Sequence, residues 1–596
     1  MKPLGILFLK TLVAILLGLG VMTARAAEQP NIVLILADDL GFTDIAPYGS
    51  EISTPSLAAL ANEGIRFTNF HTAASCAPSR AMLLTGVDNH RAGVASIPEA
   101  IPPEQSGSAS YQGVLGNNVV TVASLLEGAG YHTYMAGKWH LGKEKHQLPS
   151  RRGFERTVVM ADTGADNWEQ KPYIPIYKKA NWFADGEEME LPEDFYSSRF
   201  LIDKTIEFID SNRDDGQPFF AYVPFQAVHI PVQAPQEFID RYRGVYDVGW
   251  EQLREDRLAK AVELGVVPEG VGMVNMSTTQ DWDALSDARK RYEAKRMAVY
   301  GGMVEAMDFH IGRLIEYLKA TGQYDNTLFI FTSDNGTEVS GPLNPEAART
   351  RFLLRNQGYS TEYETLGLKG SFNSISPSFA SASASPLAFY KFYAGEGGMR
   401  VPLIIAGQSV SGLTIPDKGK LNHALAYVTD ITPTILSLAG VDAPGGRFGG
   451  RPVERMIGRN LMPLIEGDVE RVYSEDDVIG YEVGGNAALF RGDYKIVINR
   501  GPVGDSAWHL YHIVNDPGET EDLAEAMPER MQIMMRAYEH YVVENEVLPV
   551  PPGYAQLSQG GINGLRDAYG KQLLVLLVSI MILVIFLVMA RSIHRR

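Results

Sequence analysis

The sequence predicts an α/β protein: a large mixed, mostly parallel sheet sandwiched by helices, then a smaller C-terminal α+β subdomain and a C-terminal transmembrane helix. Three observations predict it. Apolar runs too continuous for half-exposed strands recur within the first 410 residues, at Ile32–Ala37, Thr133–Gly137, Phe219–Val223, Leu328–Thr332 and Val401–Ala406. Helical stretches lie between them, and strand, helix, strand in repetition gives a parallel sheet covered on both faces. Past residue 470 the pattern changes to antiparallel strands and a closing helix, and an apolar run follows at 573–590.

Residues 1–26 open with Lys2 and Lys10, run through the apolar Leu12–Met22 and close on Ala24-Arg25-Ala26, the small-x-small pattern of a cleaved signal peptide. The main folded domain is expected over 29–465. In it, Thr54-Pro55 supplies an N-cap and a first-turn proline, Leu57 and Leu60 a buried stripe and Gly64 the stop; Thr121–Ala129 and Met297–Lys319 also carry helical spacing. The charged, helix-rich Arg241–Arg296 reads as an insertion on the rim, and Ser371–Pro386, mostly Ser, Ala and Pro, as a mobile loop at the mouth of a site. The subdomain spans 466–548, with antiparallel strands at Ala487–Asn499 and Trp508–Val514 and a helix at Pro528–Asn545. Residues 549–572, rich in Pro and Gly as far as Gly564, form a linker.

Leu573–Ala590 is apolar except for Ser579, and as a helix it is roughly 27 Å long, near the thickness of bilayer hydrocarbon. Its basic tail, 591–596, stays in the cytoplasm by the positive-inside rule and leaves the bulk of the chain on the other side. The expectation is an exported protein anchored to the inner (plasma) membrane, with its main domain, 29–465, periplasmic or extracellular.

The 596 residues carry 53 basic and 71 acidic side chains, a formal charge of −18, with no basic stripe, which excludes nucleic-acid phosphate as the main partner. A single cysteine excludes an intrachain disulfide, a CxxC redox centre and a Cys-rich zinc module. That leaves Cys76 as a residue of interest by elimination.

In a parallel sheet, ligands gather beyond the carboxyl ends of the strands. Ile32–Ala37 delivers Asp38-Asp39 there, and Leu328–Thr332 delivers Ser333-Asp334-Asn335-Gly336. Each pair alone suits a turn or a helix cap; together, converging oxygen ligands suit a hard divalent ion, Ca²⁺ or Mg²⁺. Thr133–Gly137 delivers Lys138-Trp139-His140, and if the extended geometry persists, Lys138 and His140 share one face. Phe219–Val223 leads to His229. Cys76 precedes Pro78, a residue suited to a first helical turn, so it sits where helix amides favour an anion; an ordinary buried cysteine fits the same pattern.

Cys76-Ala-Pro-Ser79-Arg80, continuing through Thr85-Gly86, resembles the CxPxR core of the sulfatases, in which the cysteine becomes formylglycine. Four further segments resemble that family's signatures in order: Pro30-Asn31 through Ala37-Asp38-Asp39-Leu-Gly41, Gly137-Lys138-Trp139-His140-Leu-Gly142, Ser333-Asp334-Asn335-Gly336, and Glu396-Gly-Gly-Met-Arg400-Val-Pro402. The resemblance covers about residues 29–550 and is nearest to bacterial arylsulfatases of the alkaline-phosphatase-like superfamily; the C-terminal membrane helix departs from its soluble members.

The resemblance implies that Asp38, Asp39, Asp334 and Asn335 hold one divalent metal, Ca²⁺ foremost, with residue 76 completing the shell. It implies that Lys138 and Lys391 hold the sulfate oxygens, with Lys369 the second-ranked alternative to Lys391. His229 protonates the leaving oxygen, His140 assists breakdown of the sulfated intermediate, Asp334 helps ionise the nucleophile and Arg80 orients residue 76. The implied partners are a small sulfate ester, a formylglycine-generating enzyme and the membrane. A phosphatase, phosphonate or phosphodiester hydrolase of the same superfamily, and a tethered non-catalytic binding protein, are the alternatives.

Overall fold

The computed structural model describes residues 29–566, 570 and 579–581, apart from 175–176, 342–346 and 411. The signal peptide at 1–26, the cytoplasmic tail and all of the expected membrane helix except Ser579–Met581 lie outside the described residues. Among those described, no helix is long and apolar enough to cross a membrane.

The first strand, Asn31–Ala37, shows why the sheet is central. Its alternate residues feed two separate cores, Val33, Ile35 and Ala37 on one face and Ile32, Leu34 and Leu36 on the other, all of them buried. Full burial of each large side chain contributes about 1.5–3 kcal/mol, so a strand apolar on both faces is stable only between two helical layers. Pro55–Glu63, Ser197–Asn212 and Asp287–Ala320 supply one layer, and Cys76–Thr85, Val122–Gly128 and Ile431–Ala439 the other.

The sheet has ten strands in the order Lys420–Asn422, Ile65–Phe67, Leu403–Ala406, Thr327–Ser333, Asn31–Ala37, Phe219–Pro224, His132–Lys138, Arg156–Met160, Trp182–Ala184 and Glu187–Glu188. From Thr327–Ser333 to Arg156–Met160 it is parallel; Leu403–Ala406 and Trp182–Ala184 run antiparallel to their neighbours. The expected mixed, mostly parallel core is therefore present.

Three expectations are corrected. Arg241–Arg296 is more than an insertion on the rim: its helix Gly249–Glu263 buries Trp250 and Arg257, the guanidinium bonding Asp44 at 2.7 Å and Glu51 at 2.8 Å, and its last residues open the helix Asp287–Ala320. Ser371–Pro386 is not a mobile loop either. It contains the buried helix Pro377–Ser383, whose small residues allow close packing: Ser383 Oγ donates to Asp44 at 2.7 Å, and a Cβ on Gly41 would meet the Ser383 carbonyl oxygen at 2.5 Å. Finally, Ala487–Asn499 is two strands, Asn486–Arg491 and Tyr494–Ile498, reversed at Gly492-Asp493; Val478–Val483 and Trp508–His512 complete a four-stranded antiparallel sheet backed by the helix Pro528–Glu544.

That smaller sheet does not hang free. Tyr481, Val483, Ala488 and Phe490 belong to the same core as Leu34 and Leu36. The stretch from 549 onward is docked as well, with Gln105 Nε2 donating to the carbonyls of Leu548 and Pro549, Tyr554 hydroxyl donating to the Ala100 carbonyl at 3.0 Å, and residues 556–566 helical.

Candidate active site

Register places the acidic cluster. Ala37 pairs with Ser333 across two parallel strands, so Asp38 and Asp334 leave the sheet side by side. Asp38 and Asp334 are buried, and the Asp39 amide donates to Asp334 Oδ1 at 3.1 Å. Asp39 has a left-handed backbone, φ 66°, as do His140, Phe389 and Phe392; non-glycine residues adopt it at a cost, and four of them flank this one site.

Cys76 is the first residue of the buried helix Cys76–Thr85, which Gly86 ends in a left-handed cap. Its Sγ lies 3.7 Å from Asp39 Oδ1, and Asp38, Asp39, Cys76 and Asp334 each offer a ligand atom within 4.8 Å of the others. Asn335 Nδ2 donates to Asp39 Oδ1 at 2.7 Å, while its buried Oδ1 has no protein partner. An orphaned carbonyl oxygen beside three carboxylates is the donor set of a hard divalent cation, so these residues fit the expected metal. Burial pushes the Cys76 thiol up despite Lys138 and Lys391, so as a plain thiol it stays protonated and weakly nucleophilic.

Three buried cations face the cluster. Lys138, the last residue of its strand, reaches Asp38 with Nζ 2.8 and 2.7 Å from the two oxygens. Lys391 Nζ lies 2.9 Å from Asp39 Oδ2 and 2.7 Å from Glu338 Oε2. Arg80, one turn after Cys76, places Nε and Nη2 2.8 and 2.7 Å from Asp334 Oδ2 and Nη1 2.8 Å from the Lys138 carbonyl oxygen, so its bonds go to the acidic wall. Burial raises the Asp334 carboxyl, but Arg80, Lys138 and Lys391 outweigh it and hold the group well below the usual carboxylate range. Lys369 is exposed beside Glu169, away from these groups.

His229 presents Nε2 3.6 Å from Asp39 Oδ2 and 3.7 Å from Glu338 Oε2, and its Nδ1 donates to the Ile230 carbonyl at 2.6 Å. The extended geometry expected past Lys138 does not persist: at φ 55° His140 turns aside, and its Nε2 lies 3.4 Å from Glu99 Oε2. Burial, helped by Lys138 and Arg80 against the pull of Glu99, takes its pKa down to about 4, so the ring is neutral near pH 7.

Sequence reasoning missed Glu338, Glu99 and Lys495. Glu338 follows Asp334 by four residues in the same loop, a signal that was legible. Glu99 comes from a loop with no metal or catalytic pattern. Lys495, on a strand of the small sheet, bonds Glu396 at 2.8 Å and Glu519 at 2.9 Å, and His71 Nε2 meets the same Glu396 at 2.9 Å. Asn499 and Asn486 bond the backbone at Ala394 and Phe392, and the Tyr481 hydroxyl accepts from the Ala74 amide at 3.0 Å. The small sheet thereby braces both the Lys391 loop and the loop before Cys76.

The sulfatase family model matches residues 30–441. An uncharacterized sulfatase of Schizosaccharomyces pombe is 36% identical over 551 residues, covering 90% of this chain and 97% of the relative. An arylsulfatase of Klebsiella aerogenes is 34% identical over 444 residues, 74% of this chain and 93% of the relative. The crystal structure of Ps i-CgsB in complex with k-i-k-neocarrahexaose shares the fold, with a TM-score of 0.61 at 23% identity, covering 91% of this chain and 97% of that one. With a family match over more than half its length and relatives of this identity and coverage, the chain belongs to the sulfatase family and is a sulfuric ester hydrolase.

Proposed function

We propose that the protein is an arylsulfatase-like enzyme that hydrolyses small sulfate monoesters to an alcohol or phenol and sulfate, with Cys76 matured to formylglycine by a separate enzyme. The observation that carries this is the position of residue 76 at a helix N-terminus, within ligand distance of Asp38, Asp39 and Asp334 and facing Lys138 and Lys391. A hydrated formylglycine supplies one hydroxyl to attack sulfur and a second whose deprotonation expels sulfate, dividing one hard step into two. A divalent ion, Ca²⁺ foremost, held by Asp38, Asp39, Asp334 and Asn335, would lower the cost of ionising that hydroxyl.

The chain's own groups do the rest. Lys138 and Lys391 bind the sulfate oxygens and stabilise the charge that builds on them. Arg80 fixes Asp334 and the Lys138 carbonyl and so holds the wall against which residue 76 reacts. His229 delivers a proton to the leaving oxygen through Nε2. This requires the imidazolium, which burial with Lys138 and Lys391 opposes; Glu338 and the negative charge of the bound ester act in its favour. His140, neutral against Glu99, accepts the proton released when the sulfated intermediate breaks down.

The charge of −18 disfavours approach of long polyanions and leaves small monoesters as the substrate class. The location follows from the two ends of the sequence: export, then anchoring in the plasma membrane through 573–590 with the catalytic domain outside. Rates on 4-nitrophenyl sulfate and 4-nitrophenyl phosphate test the chemistry. Much faster turnover of the sulfate is expected, and faster turnover of the phosphate would overturn the reading.

A further inference from the structure

Residues 556–566 form a helix whose amphipathic sense is reversed. Toward the protein it turns polar groups: Gln556 and Asn563 are buried, Asn563 Nδ2 donates to the carbonyl oxygens of Glu99 and Ile101, both at 2.8 Å, and Gln559 Nε2 donates to Asn563 Oδ1 at 2.9 Å. Outward it turns Leu557, Ile562 and Leu565, which are 53%, 59% and 55% exposed. A helix lying on a protein in water has the opposite order, with the apolar stripe inward. Here Asn563 of the polar stripe is bonded to the protein, the buried Gln556 amide has no hydrogen-bond partner among the described residues, and the apolar stripe faces away from the protein.

The chain beyond this helix supplies the reason. Six residues, 567–572, separate it from the apolar run 573–590. Even fully extended they reach only about 20 Å, so a bilayer that holds the run lies within that distance of the helix end. The helix is also no swinging tether. From Leu548 to Asn563 the chain is stapled to the 98–113 loop, through Tyr111 and Gln105 at Leu548, Tyr554 at Ala100 and Asn563 at Glu99 and Ile101. Glu99 is the residue that meets His140 at 3.4 Å and the Tyr177 hydroxyl at 3.3 Å.

We infer that helix 556–566 rests on the lipid surface, with Leu557, Ile562 and Leu565 immersed at the boundary of headgroups and acyl chains, and that it seats the Glu99–His140 wall of the site beside the bilayer. This rests on the membrane anchoring proposed above and adds a second, interfacial contact to it. The occupant of the apolar face is lipid and not a second copy of the chain, because the segment continuous with that face is itself apolar enough to enter a bilayer.

The test uses the full chain with vesicles of phosphatidylcholine and phosphatidylglycerol, and Ile562→Cys carrying an environment-sensitive fluorophore; the native Cys76 is buried and does not compete for label. The expected result is blue-shifted emission that loses most of its intensity when the lipids carry bromine on their acyl chains. Water-like emission without quenching, whether or not the protein floats with the vesicles, overturns the inference. So does blue-shifted emission insensitive to bromine, which would mean contact between copies. Turnover of 4-nitrophenyl sulfate by the labelled chain separates failure of this contact from failure of the catalytic reading.

Discussion

Lys138 Nζ lies 2.8 and 2.7 Å from the two oxygens of Asp38, although the strand Phe219–Pro224 runs between the strands that deliver them. Both side chains are fully buried. The ammonium therefore crosses the carboxyl end of an intervening strand to neutralise an acidic group that has Asp39 and Asp334 beside it. On the proposed function, a sulfate ester approaching this cluster would meet a lysine already fixed in place, the preorganisation that electrostatic catalysis requires.

Replacing that ammonium while keeping most of the stem isolates its charge. Lys138→Met is expected to lower kcat/KM by about 10²–10³-fold. In protein stripped of metal it also leaves the buried Asp38 to Arg80, whose Nη2 lies 3.4 Å away, and the lost ion pair should appear as lower stability in denaturant unfolding. Steady-state kinetics on 4-nitrophenyl sulfate with near-native rates would remove Lys138 from the site.

Glu338, like Asp39, faces Lys391 and His229 together. Glu338→Gln keeps the shape and removes one of the two charges that oppose desolvation of both. Turnover is expected to fall by about 10–100-fold, the loss ordinarily seen when a supporting group in such a site is removed. Unchanged kcat and KM would make Glu338 a purely structural partner of Lys391.

Chelation followed by dialysis should abolish activity, and added Ca²⁺ should restore it. Because the acidic cluster assembles only in the folded chain, Ca²⁺ at about 100 times its Kd should add about 2.7 kcal/mol of stability by linkage. Asn335→Leu, which removes the orphaned oxygen, should shrink that gain. Melting curves that superimpose with and without Ca²⁺ would contradict the metal assignment.

His90 gives a pH dependence away from the acidic cluster. Burial disfavours its cation, but the hydrogen bonds that the ring donates to Asp88 and Glu482, and the charges of those carboxylates, overcome this and raise its pKa to about 9 from a usual 6.5. The folded state holds the proton more tightly than the unfolded chain, so the contribution is complete below pH 6.5 and is lost as pH rises through about 9. The shift corresponds to about 3 kcal/mol. Stability measured from pH 6.5 to 9.5 should decline, and His90→Gln should flatten that part of the curve; parallel curves for the two proteins would refute the assignment.

What could be read in advance divides by range of interaction. The central strands and the residues they deliver, Asp38, Asp39, Asp334, Asn335 and Lys138, were legible because a continuous apolar run ends where its polar residues begin. The motif around Cys76 was legible for the same local reason. Ser371–Pro386 misled, because small polar residues that suggest mobility in a loop also permit the close approach of Gly41 and Ser383. Arg241–Arg296 misled because Arg257 looks solvated until Asp44 and Glu51 come to meet it from more than 200 positions away. The turn at His140, which swings the ring to Glu99, depends on a left-handed residue that no periodicity announces.

The central claim is that residue 76 acts as an oxidised side chain within a metal-binding acidic cluster. Its most direct test is the mass of the Cys76 peptide from enzyme active on 4-nitrophenyl sulfate. The expected mass is that of a residue lighter than cysteine by the loss of H₂S and gain of one oxygen, with turnover tracking the converted fraction across preparations. An unmodified thiol in fully active enzyme would contradict it.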